Sequence, residues 1–269
     1  MLANTLSDQE FSQFRSFIYR IAGINLSSAK KPMVVGRLAR RVDQHRLSSF
    51  AEYFRLLNNG SHPDEVQMAV DLLTTNETYF FREHKHFDFL RENILPQHPP
   101  GKSFRVWSAA SSSGQEAYSI AMVLDDRLKS PHWEITASDI SARVLETARR
   151  AHYPLEQAEH IPPRFLSSYC LKGVGSQQGT FLIARNLRER VNFMQVNLNT
   201  SLPRLGTFDV IFLRNVMIYF DAETKRQVTR RIAGQLKPGG HLLLGHSESL
   251  NGIDSTLQTV VPSVYRKPL

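Results

Sequence analysis

From residue 104 onward the chain alternates apolar runs with segments of helical periodicity. Five runs have the length and composition of buried strands: "FRVWSAA", "WEITASDI", "VNFMQVNL", "FDVIFLRN" and "HLLLGHSE". Helical segments such as "EAYSIAMVLDDRL" lie between them, and parallel strands need such crossover helices, which then cover both faces of the sheet. The sequence therefore predicts an α/β domain at residues 91–269, closed by a hairpin at "LQTVVPSVYRK".

A short segment interrupts this alternation at residues 160–190. It contains Gly173, Gly175 and Gly179 between two short runs with β-like composition. Glycines between short strand-like runs are typical of hairpin turns. We therefore expect a small antiparallel β insert on the α/β domain.

Residues 1–90 have the pattern of a separate helical domain with a linker. Ser7 followed by Glu10 forms a capping-box signature, and Gly23 suits the end of the helix that begins there. Pro32 suits the first turn of a second helix. Further helices are expected at residues 48–58 and 63–75.

Positive charge is concentrated in the second of these helices. The whole chain has a net charge of +8, and residues 30–46 carry six basic residues and a single acid. Arg37, Arg40 and Arg41 fall on the face opposite the apolar face of the helix. This face is either a docking surface for an acidic partner or an ordinary solvated face.

Composition excludes several classes of protein. Cys170 is the one cysteine, and no apolar run reaches the length of about 20 residues that a membrane span needs. The first ten residues lack the basic and apolar regions of a signal peptide. Among the histidines, His84 and His86 form a local pair that is interpreted as helix surface. We therefore expect a cytoplasmic protein without disulfides, bound metal or membrane insertion.

Polar residues stand where the predicted strands end. Asp139, Asn197 and the pair Arg214–Asn215 follow three of the apolar runs, and "SSSGQE" follows the first. Ligands of open parallel sheets bind beyond the carboxyl ends of the strands. A buried charge also needs a partner there. These residues therefore predict a ligand cleft.

The turn after the first strand limits the choice of ligand. It has one glycine, Gly114, whereas dinucleotide folds use G-x-G-x-x-G, and no ATP-binding P-loop is present. An adenosyl ligand without phosphates, S-adenosylmethionine, fits better, with Glu116 and Asp139 as acidic neighbours of its positive groups. Asp139 stands where an acid accepts ribose hydroxyls, or else it is only a turn or helix-cap residue.

Several motifs together resemble one family. "TTNETYFFRE", "WSAASSSGQEAYSIAM", "ASDI", "FLRNVMIYF" and "LKPGGHLLLGHSE" are similar to the CheR family of chemotaxis receptor methyltransferases, over nearly the whole chain. "LKPGG" is shared by many methyltransferases, whereas the occurrence of these motifs in this order is specific to the CheR family. In the family this turn commonly reads A-S-T-G-E-E-P, whereas here it reads "SSSGQEA". The resemblance therefore implies a cofactor contact for Glu116 and not for Gln115.

The resemblance implies a Rossmann-like S-adenosylmethionine-dependent methyltransferase domain with a small antiparallel β insert, preceded by an all-helical domain. It implies methyl transfer from S-adenosylmethionine to glutamates of chemoreceptors, which yields methyl esters and S-adenosylhomocysteine without a metal. Carried over by position, the cofactor contacts are Asn76, Thr78, Arg82, Glu116, Asp139, Asn197, Leu198, Arg214 and Asn215. Arg82 and Tyr219 match the residues beside the transferred methyl, although a tyrosine can also simply cap a sheet edge.

The resemblance also implies the partners. These are the cytoplasmic domains of methyl-accepting chemotaxis proteins, with Arg37, Arg40 and Arg41 facing their acidic methylation helices. Some family members bind a C-terminal receptor pentapeptide at the β insert by strand addition, and "LKGVGSQQG" keeps two glycines of such members. A monomer that binds neither nucleic acid nor the membrane interior is expected.

Other functions remain to be distinguished at this point. A methyltransferase for nucleic acid or a small molecule would share the cofactor. However, the sequence after the fourth strand lacks the Asn/Asp-Pro-Pro-aromatic motif of amino-methylating enzymes, and no cysteine is placed for attack on a pyrimidine. A non-catalytic adaptor that binds the cofactor would need neither Arg82 nor Tyr219.

Overall fold

The computed structural model describes residues 5–253 and 256–269. Residues 1–4 of the predicted helical domain and residues 254–255 of the predicted α/β domain lie outside the described chain. The helices are α1 (Asp8–Ala22), α2 (Lys31–Gln44), α3 (Phe50–Asn58), α4 (Pro63–Leu73), α5 (Lys85–Phe89), α6 (Gln115–Leu128), α7 (Ala142–Arg150), α8 (Pro163–Tyr169), α9 (Arg185–Arg188) and α10 (Ala222–Gly234). The strands are β1 (Phe104–Ser108), β2 (Trp133–Asp139), β3 (His152–Pro154), β4 (Cys170–Lys172), β5 (Thr180–Ile183), β6 (Val191–Gln195), β7 (Phe208–Leu213), β8 (Leu236–Leu244), β9 (Gln258–Val261) and β10 (Val264–Arg266).

The described chain divides into a helical unit and a sheet unit. The helical unit comprises residues 5–75 with Tyr219–Lys225, and the sheet unit comprises Asn76–Ile218 with Arg226–Leu269. The predicted boundary lay at residue 90. Residues 76–90 group with the sheet unit because Phe80, Phe81 and Phe87 pack in its hydrophobic core.

Helix α1 begins and ends where the sequence predicts. The Ser7 hydroxyl accepts the Glu10 N–H at 3.2 Å, and the Glu10 carboxylate accepts the Ser7 N–H at 2.8 Å. This reciprocal pair satisfies two N–H groups that a helix start otherwise leaves without partners. At the other end Gly23 has φ 72°, the left-handed conformation that glycine adopts without steric cost.

The large sheet has seven strands in the order β6-β2-β1-β7-β8-β10-β9. Strands β6, β2, β1, β7 and β8 are parallel, and the closing hairpin of β9 and β10 is antiparallel. This confirms the predicted α/β sheet with its terminal hairpin. Strand order reverses at β1, so the carboxyl ends of β1 and its neighbour β7 flank the position where ligands of such sheets bind.

The β insert is a three-stranded antiparallel sheet in the order β3-β5-β4. The hairpin of β4 and β5 falls inside the predicted segment 160–190, whereas β3 precedes that segment and pairs with β5. The position of Gly173 allows no side chain, because a Cβ there would collide with the carbonyl of Gln177. A side chain would therefore disrupt the turn between the two strands.

No helix among the described residues is both long and apolar enough to cross a lipid bilayer.

Candidate active site

The loop after β1 wraps closely around the start of α6. Gly114 has φ 96°, and a Cβ there would approach Ala148 of α7 to 2.9 Å. Both the backbone conformation and this close contact therefore require glycine. The Ser111 hydroxyl of the same loop is buried and has no hydrogen-bond partner among the described residues. Since buried polar atoms are normally paired, this hydroxyl is available to a ligand.

Asp139 at the end of β2 holds two loops together. Its carboxylate accepts the Ser112 N–H at 2.9 Å and the Ser141 N–H at 3.0 Å, and the residue is 8% exposed. These bonds show the turn role that the sequence analysis offered as the alternative to a ribose contact. The two roles are compatible, because a carboxylate has about four lone-pair sites.

Arg214 at the end of β7 lies in a buried ionic network. Its guanidinium contacts the Glu116 carboxylate at 3.0 Å and the Glu83 carboxylate at 2.9 Å, and it also donates to the Arg82 carbonyl oxygen. The Arg214 side chain is 1% exposed. Two carboxylates surround this cation, which offsets the free-energy cost of removing it from water.

The two carboxylates differ in their titration. Burial opposes ionisation of Glu83, but the hydrogen bonds from Arg214 and Asn215 outweigh it and lower its pKa to about 2. At Glu116 burial dominates and raises the pKa, although Arg214 and Ser108 oppose the rise. Arg214 thus has one firmly ionised partner and one partner that accepts a proton more readily.

Asn215 is held in place by a second buried carboxylate, Glu248. The Glu248 carboxylate accepts the N–H groups of Asn215 at 2.8 Å, Gly245 at 2.7 Å and Ile218 at 3.2 Å. The Asn215 side chain donates to Glu83 at 3.1 Å. Glu83 and Glu248 belong to the motifs "FFRE" and "GHSE", but neither is among the site residues predicted from the sequence. Only the structure shows that both brace the end of β7.

The site contains strained backbone. Phe81, Glu83, Ser112 and Asn215 have φ values of 55°, 57°, 48° and 56° without being glycine. Such conformations cost about 1–3 kcal/mol each and persist where the surrounding structure fixes them. Hydrogen bonds to Arg214, Asp139 and Glu248 constrain Glu83, Ser112 and Asn215, and the Phe81 N–H donates to the Ser119 hydroxyl.

The segment "TNETYFFR" contributes three of the predicted cofactor residues. The Asn76 carbonyl accepts the Ser112 hydroxyl at 2.9 Å, so Asn76 lies beside the loop that Asp139 holds. Thr78 is half-buried. The Arg82 guanidinium donates to the Glu77 carbonyl at 2.8 Å and lies 5.8 Å from the centre of the Tyr79 ring. Arg82 is only partly buried and therefore reaches solvent.

Asn197 and Leu198 lie just beyond β6. Gln195 pairs in register with Asp139, so Asn197 follows at the same edge of the sheet. The Asn197 side chain accepts the Asn199 N–H at 2.9 Å, and the Leu198 carbonyl accepts from Arg231 at 3.0 Å. The predicted residues Asn76, Glu116, Asp139, Asn197, Arg214 and Asn215 thus lie along one edge of the sheet unit.

Tyr219 belongs to the helical unit. Its carbonyl accepts the Asn25 N–H at 2.8 Å, and Phe220 forms a β-bridge with Ile24. The adjacent Asp221 accepts the Tyr19 hydroxyl at 2.7 Å. These bonds fix the backbone around Tyr219, while its catalytic role stays a prediction.

The basic face of α2 differs from the expected row of solvated arginines. Arg37 donates to the carbonyls of Leu72 and Thr74 at 3.0 and 2.8 Å at the end of α4. Arg41 forms a bidentate ion pair with Glu65, which also accepts the Tyr53 hydroxyl at 2.6 Å. Of the three predicted docking arginines, Arg40 alone is exposed, and the other two are half-buried. Reversing the charge of Arg37 or Arg41 would therefore break contacts within the helical unit, so the docking prediction is carried further for Arg40.

The parallel sheet, its reversal of strand order at β1 and its polar carboxyl edge define a Rossmann-like α/β ligand-binding protein. The family descriptions "CheR methyltransferase, SAM binding domain" and "CheR methyltransferase, all-alpha domain" match residues 76–265 and 9–74. The chain belongs to the CheR methyltransferase family. Its sheet unit is the S-adenosylmethionine-binding domain, and its activity is methyl transfer from that cofactor. A methyltransferase for nucleic acid or a small molecule is not favoured.

Curated relatives match nearly the whole chain. Chemotaxis protein methyltransferase 2 of Pseudomonas aeruginosa is 41% identical over 260 residues, which cover 96% of this chain and 92% of the relative. Chemotaxis protein methyltransferase of Escherichia coli is 40% identical over 265 residues, which cover 97% and 91%. Among solved structures, TrmN from Thermus thermophilus aligns with a TM-score of 0.41 at 18% identity, over 67% of this chain and 48% of that one.

Proposed function

We propose that this protein transfers a methyl group from S-adenosylmethionine to glutamate side chains of chemoreceptors in the cytoplasm and forms glutamate methyl esters. The observation that supports this most is the match to chemotaxis protein methyltransferases over almost the full length of both chains. A shared cofactor domain alone would leave the acceptor open. The match extends to the helical unit, the part of the chain that the proposal assigns to receptor docking.

The residues at the carboxyl edge fit S-adenosylmethionine chemically. In the proposal, Asp139 accepts the ribose hydroxyls, and Asn76, Thr78, Asn197 and Leu198 complete the contacts. The unpaired Ser111 hydroxyl supplies one further polar group in the same loop region. The Arg214 guanidinium contacts both Glu83 and Glu116, and Glu83 also accepts a hydrogen bond from the Asn215 side chain. We therefore assign Arg214 to positioning Asn215 and the segment that carries Arg82.

The chemistry requires alignment more than acid or base catalysis. S-adenosylmethionine supplies a methyl group on a sulfonium, which is open to nucleophilic attack. A glutamate carboxylate is already an anionic nucleophile, so the chain need not remove a proton. We assign Arg82 to orienting this carboxylate and the Tyr219 hydroxyl to donating a hydrogen bond to it. Good alignment can contribute about 7–11 kcal/mol to lowering a barrier.

Two surfaces are proposed to bind the receptor. Arg40 is an exposed arginine of α2 and suits an acidic methylation helix. In the β insert, β4 is an edge strand, and Leu171 is 56% exposed. An unpaired edge with an apolar side chain suits strand addition by a receptor C-terminal peptide.

Transfer of tritiated methyl from S-adenosylmethionine to receptor-containing membranes of the host tests the proposal. Labelled receptor that releases methanol in mild base is expected, because esters are base-labile. Membranes from a strain without receptors are the matched control. Label that enters nucleic acid, or receptor label that resists base, would contradict the proposal.

A further inference from the structure

His86 is buried beside a carboxylate and a second histidine. The sequence predicts that His84 and His86 both lie on a helix surface; His84 is exposed, but His86 is only 3% exposed. The His86 Nδ1 lies 3.5 Å from the Glu83 carboxylate, and its ring centre lies 4.7 Å from that of His246. These three side chains come from the "FFREHKH" segment and from the loop after β8.

The other ring nitrogen of His86, Nε2, lies beside the Ser263 hydroxyl. The Ser263 hydroxyl donates its one proton to the Pro262 carbonyl at 2.6 Å. Ser263 Oγ also lies 2.8 Å from His86 Nε2, and with its proton directed at the Pro262 carbonyl it can accept an Nε2–H there. In a neutral ring the other nitrogen, Nδ1, then carries a lone pair.

That lone pair faces another acceptor. No described residue donates a hydrogen bond to His86 Nδ1, and the atom is buried. The Glu83 carboxylate, which is also an acceptor, lies 3.5 Å from this atom. Two acceptors in contact are unfavourable unless a cation or a donor lies between them, and buried polar atoms rarely stay unpaired.

We propose that Glu83, His86 and His246 form a site for a divalent transition metal, for which zinc is the best match. Their candidate ligand atoms all lie within 4.8 Å of one another. Zinc takes His and carboxylate ligands at about 2.0–2.1 Å, which puts tetrahedral ligands about 3.3 Å apart. The contact between His86 and Glu83 is already close to that value, and the exposed His246 can rotate inward.

The surroundings affect the strength of this site in two ways. Ser263 orients His86 as outer-shell partners of zinc ligands do, and losing such a partner typically lowers metal affinity 10- to 100-fold. The nearby Arg214 repels a cation, whereas the Glu83 carboxylate that pairs with it attracts one, so the two charges largely cancel. We therefore expect one ion per chain, bound more weakly than in a closed structural zinc site.

Titration of the metal-free full-length protein with cobalt(II) and with zinc tests the site. Cobalt should give visible absorption bands of four-coordinate geometry at one equivalent, and zinc should displace it. His246→Ala, at an exposed position, should lower the affinity at least tenfold, and Ser263→Ala by 10- to 100-fold. His84→Ala is the matched control and should bind like the wild type.

Two results would overturn the proposal. One is a wild-type protein that gives no cobalt bands at millimolar metal. The other is equal affinity in His246→Ala, His84→Ala and the wild type, since the metal would then bind elsewhere. His246→Ala leaves every buried side chain in place, so the comparison stands even if His86→Ala does not fold.

Discussion

Arg214 and Glu83 form a buried ion pair with an N–O distance of 2.9 Å across 131 positions of the sequence. The pair joins the end of β7 to the segment that carries Arg82, and Glu83 also accepts from the Asn215 side chain. Glu83 has a strained backbone with φ 57°, and the Arg214 side chain is only 1% exposed. We therefore regard this pair as the link that keeps the predicted cofactor residues of the two segments in register.

Replacing Glu83 with Gln should destabilise the protein. The change removes the ionised partner of a buried guanidinium, and breaking such a pair costs up to about 3–5 kcal/mol. Urea denaturation gives the free energy of unfolding. Glu92→Gln is the control, since Glu92 pairs with Arg91 at 2.6 Å but is 61% exposed. A surface pair contributes about 0–1 kcal/mol, so equal losses in the two variants would refute the role given to Glu83.

Acid should unfold the protein through two carboxylates. Burial alone would raise the pKa of Glu65, but hydrogen bonds from Arg41, Tyr53 and His45 lower it to about 2, and the pKa of Glu83 is also about 2. Because both values lie below the ordinary 4.5, these groups stabilise the fold above that pH. Their contribution is lost as pH falls from 4.5 towards 2, where the unfolded chain binds more protons.

The decline of the free energy of unfolding with falling pH can be measured. Each group contributes up to about 1.4 kcal/mol per pH unit between about pH 4 and pH 3. Denaturation at several pH values should show a steeper decline for the wild type than for Glu65→Gln. Identical slopes would mean that Glu65 has an ordinary pKa in the folded protein.

Asp139→Asn should weaken S-adenosylmethionine binding. The amide keeps one acceptor oxygen but loses the charge, and a hydrogen bond to a charged group contributes about 1.5–3 kcal/mol, or roughly ten- to hundredfold in affinity. Calorimetric titration measures the affinity, and thermal melting verifies that the loops held through Ser112 and Ser141 remain folded. Asp126→Asn changes a carboxylate of α6 that pairs with Lys129 and Arg164, and this variant should bind normally. Unchanged affinity in folded Asp139→Asn would leave Asp139 with its turn role alone.

Much of the fold follows from the sequence because it depends on local signals. The capping box at Ser7, the glycine at the end of α1 and the apolar runs of the parallel strands each specify structure through neighbouring residues. Likewise, the strand ends predict the polar edge, since parallel strands bring their carboxyl ends together. The sheet boundary at residue 76 was missed because the burial of Phe80 depends on distant partners.

The partners of individual charges could not be predicted in the same way. On α2, helical periodicity puts Arg37 and Arg41 on the polar face, but Glu65 and the carbonyl ends of α4 come from other helices and cover them. His86 was misassigned for the same reason. A helical pattern indicates which face is polar, whereas only tertiary packing decides which polar side chains reach water.

Tyr219→Phe should lower turnover and leave cofactor affinity unchanged. The hydroxyl is proposed to contact the incoming carboxylate, and removing one hydrogen bond to a charged group costs about 1.5–3 kcal/mol. Initial rates at saturating cofactor and receptor give kcat, and calorimetry gives the affinity for S-adenosylmethionine. Tyr19→Phe is a control within the helical unit, because it removes the hydroxyl that donates to Asp221 but leaves Tyr219 intact. A wild-type turnover rate in Tyr219→Phe would mean that the Tyr219 hydroxyl does not contribute to catalysis and that the ring only packs.

Arg40 and Arg41 should respond differently to substitution, although they are adjacent. Arg40→Glu alters an exposed side chain, so folding and cofactor affinity should be unchanged while receptor methylation falls. Added salt should slow the wild type, because the Debye length shrinks from about 10 Å at 0.1 M to about 3 Å at 1 M. This salt dependence should be weaker in Arg40→Glu, which has lost the attracting charge. Arg41→Glu instead faces Glu65 and should unfold the helical unit at a lower urea concentration. Equal receptor methylation by Arg40→Glu and wild type at low salt would show that Arg40 is only a solvated charge. A stable Arg41→Glu would refute the structural role assigned to its ion pair.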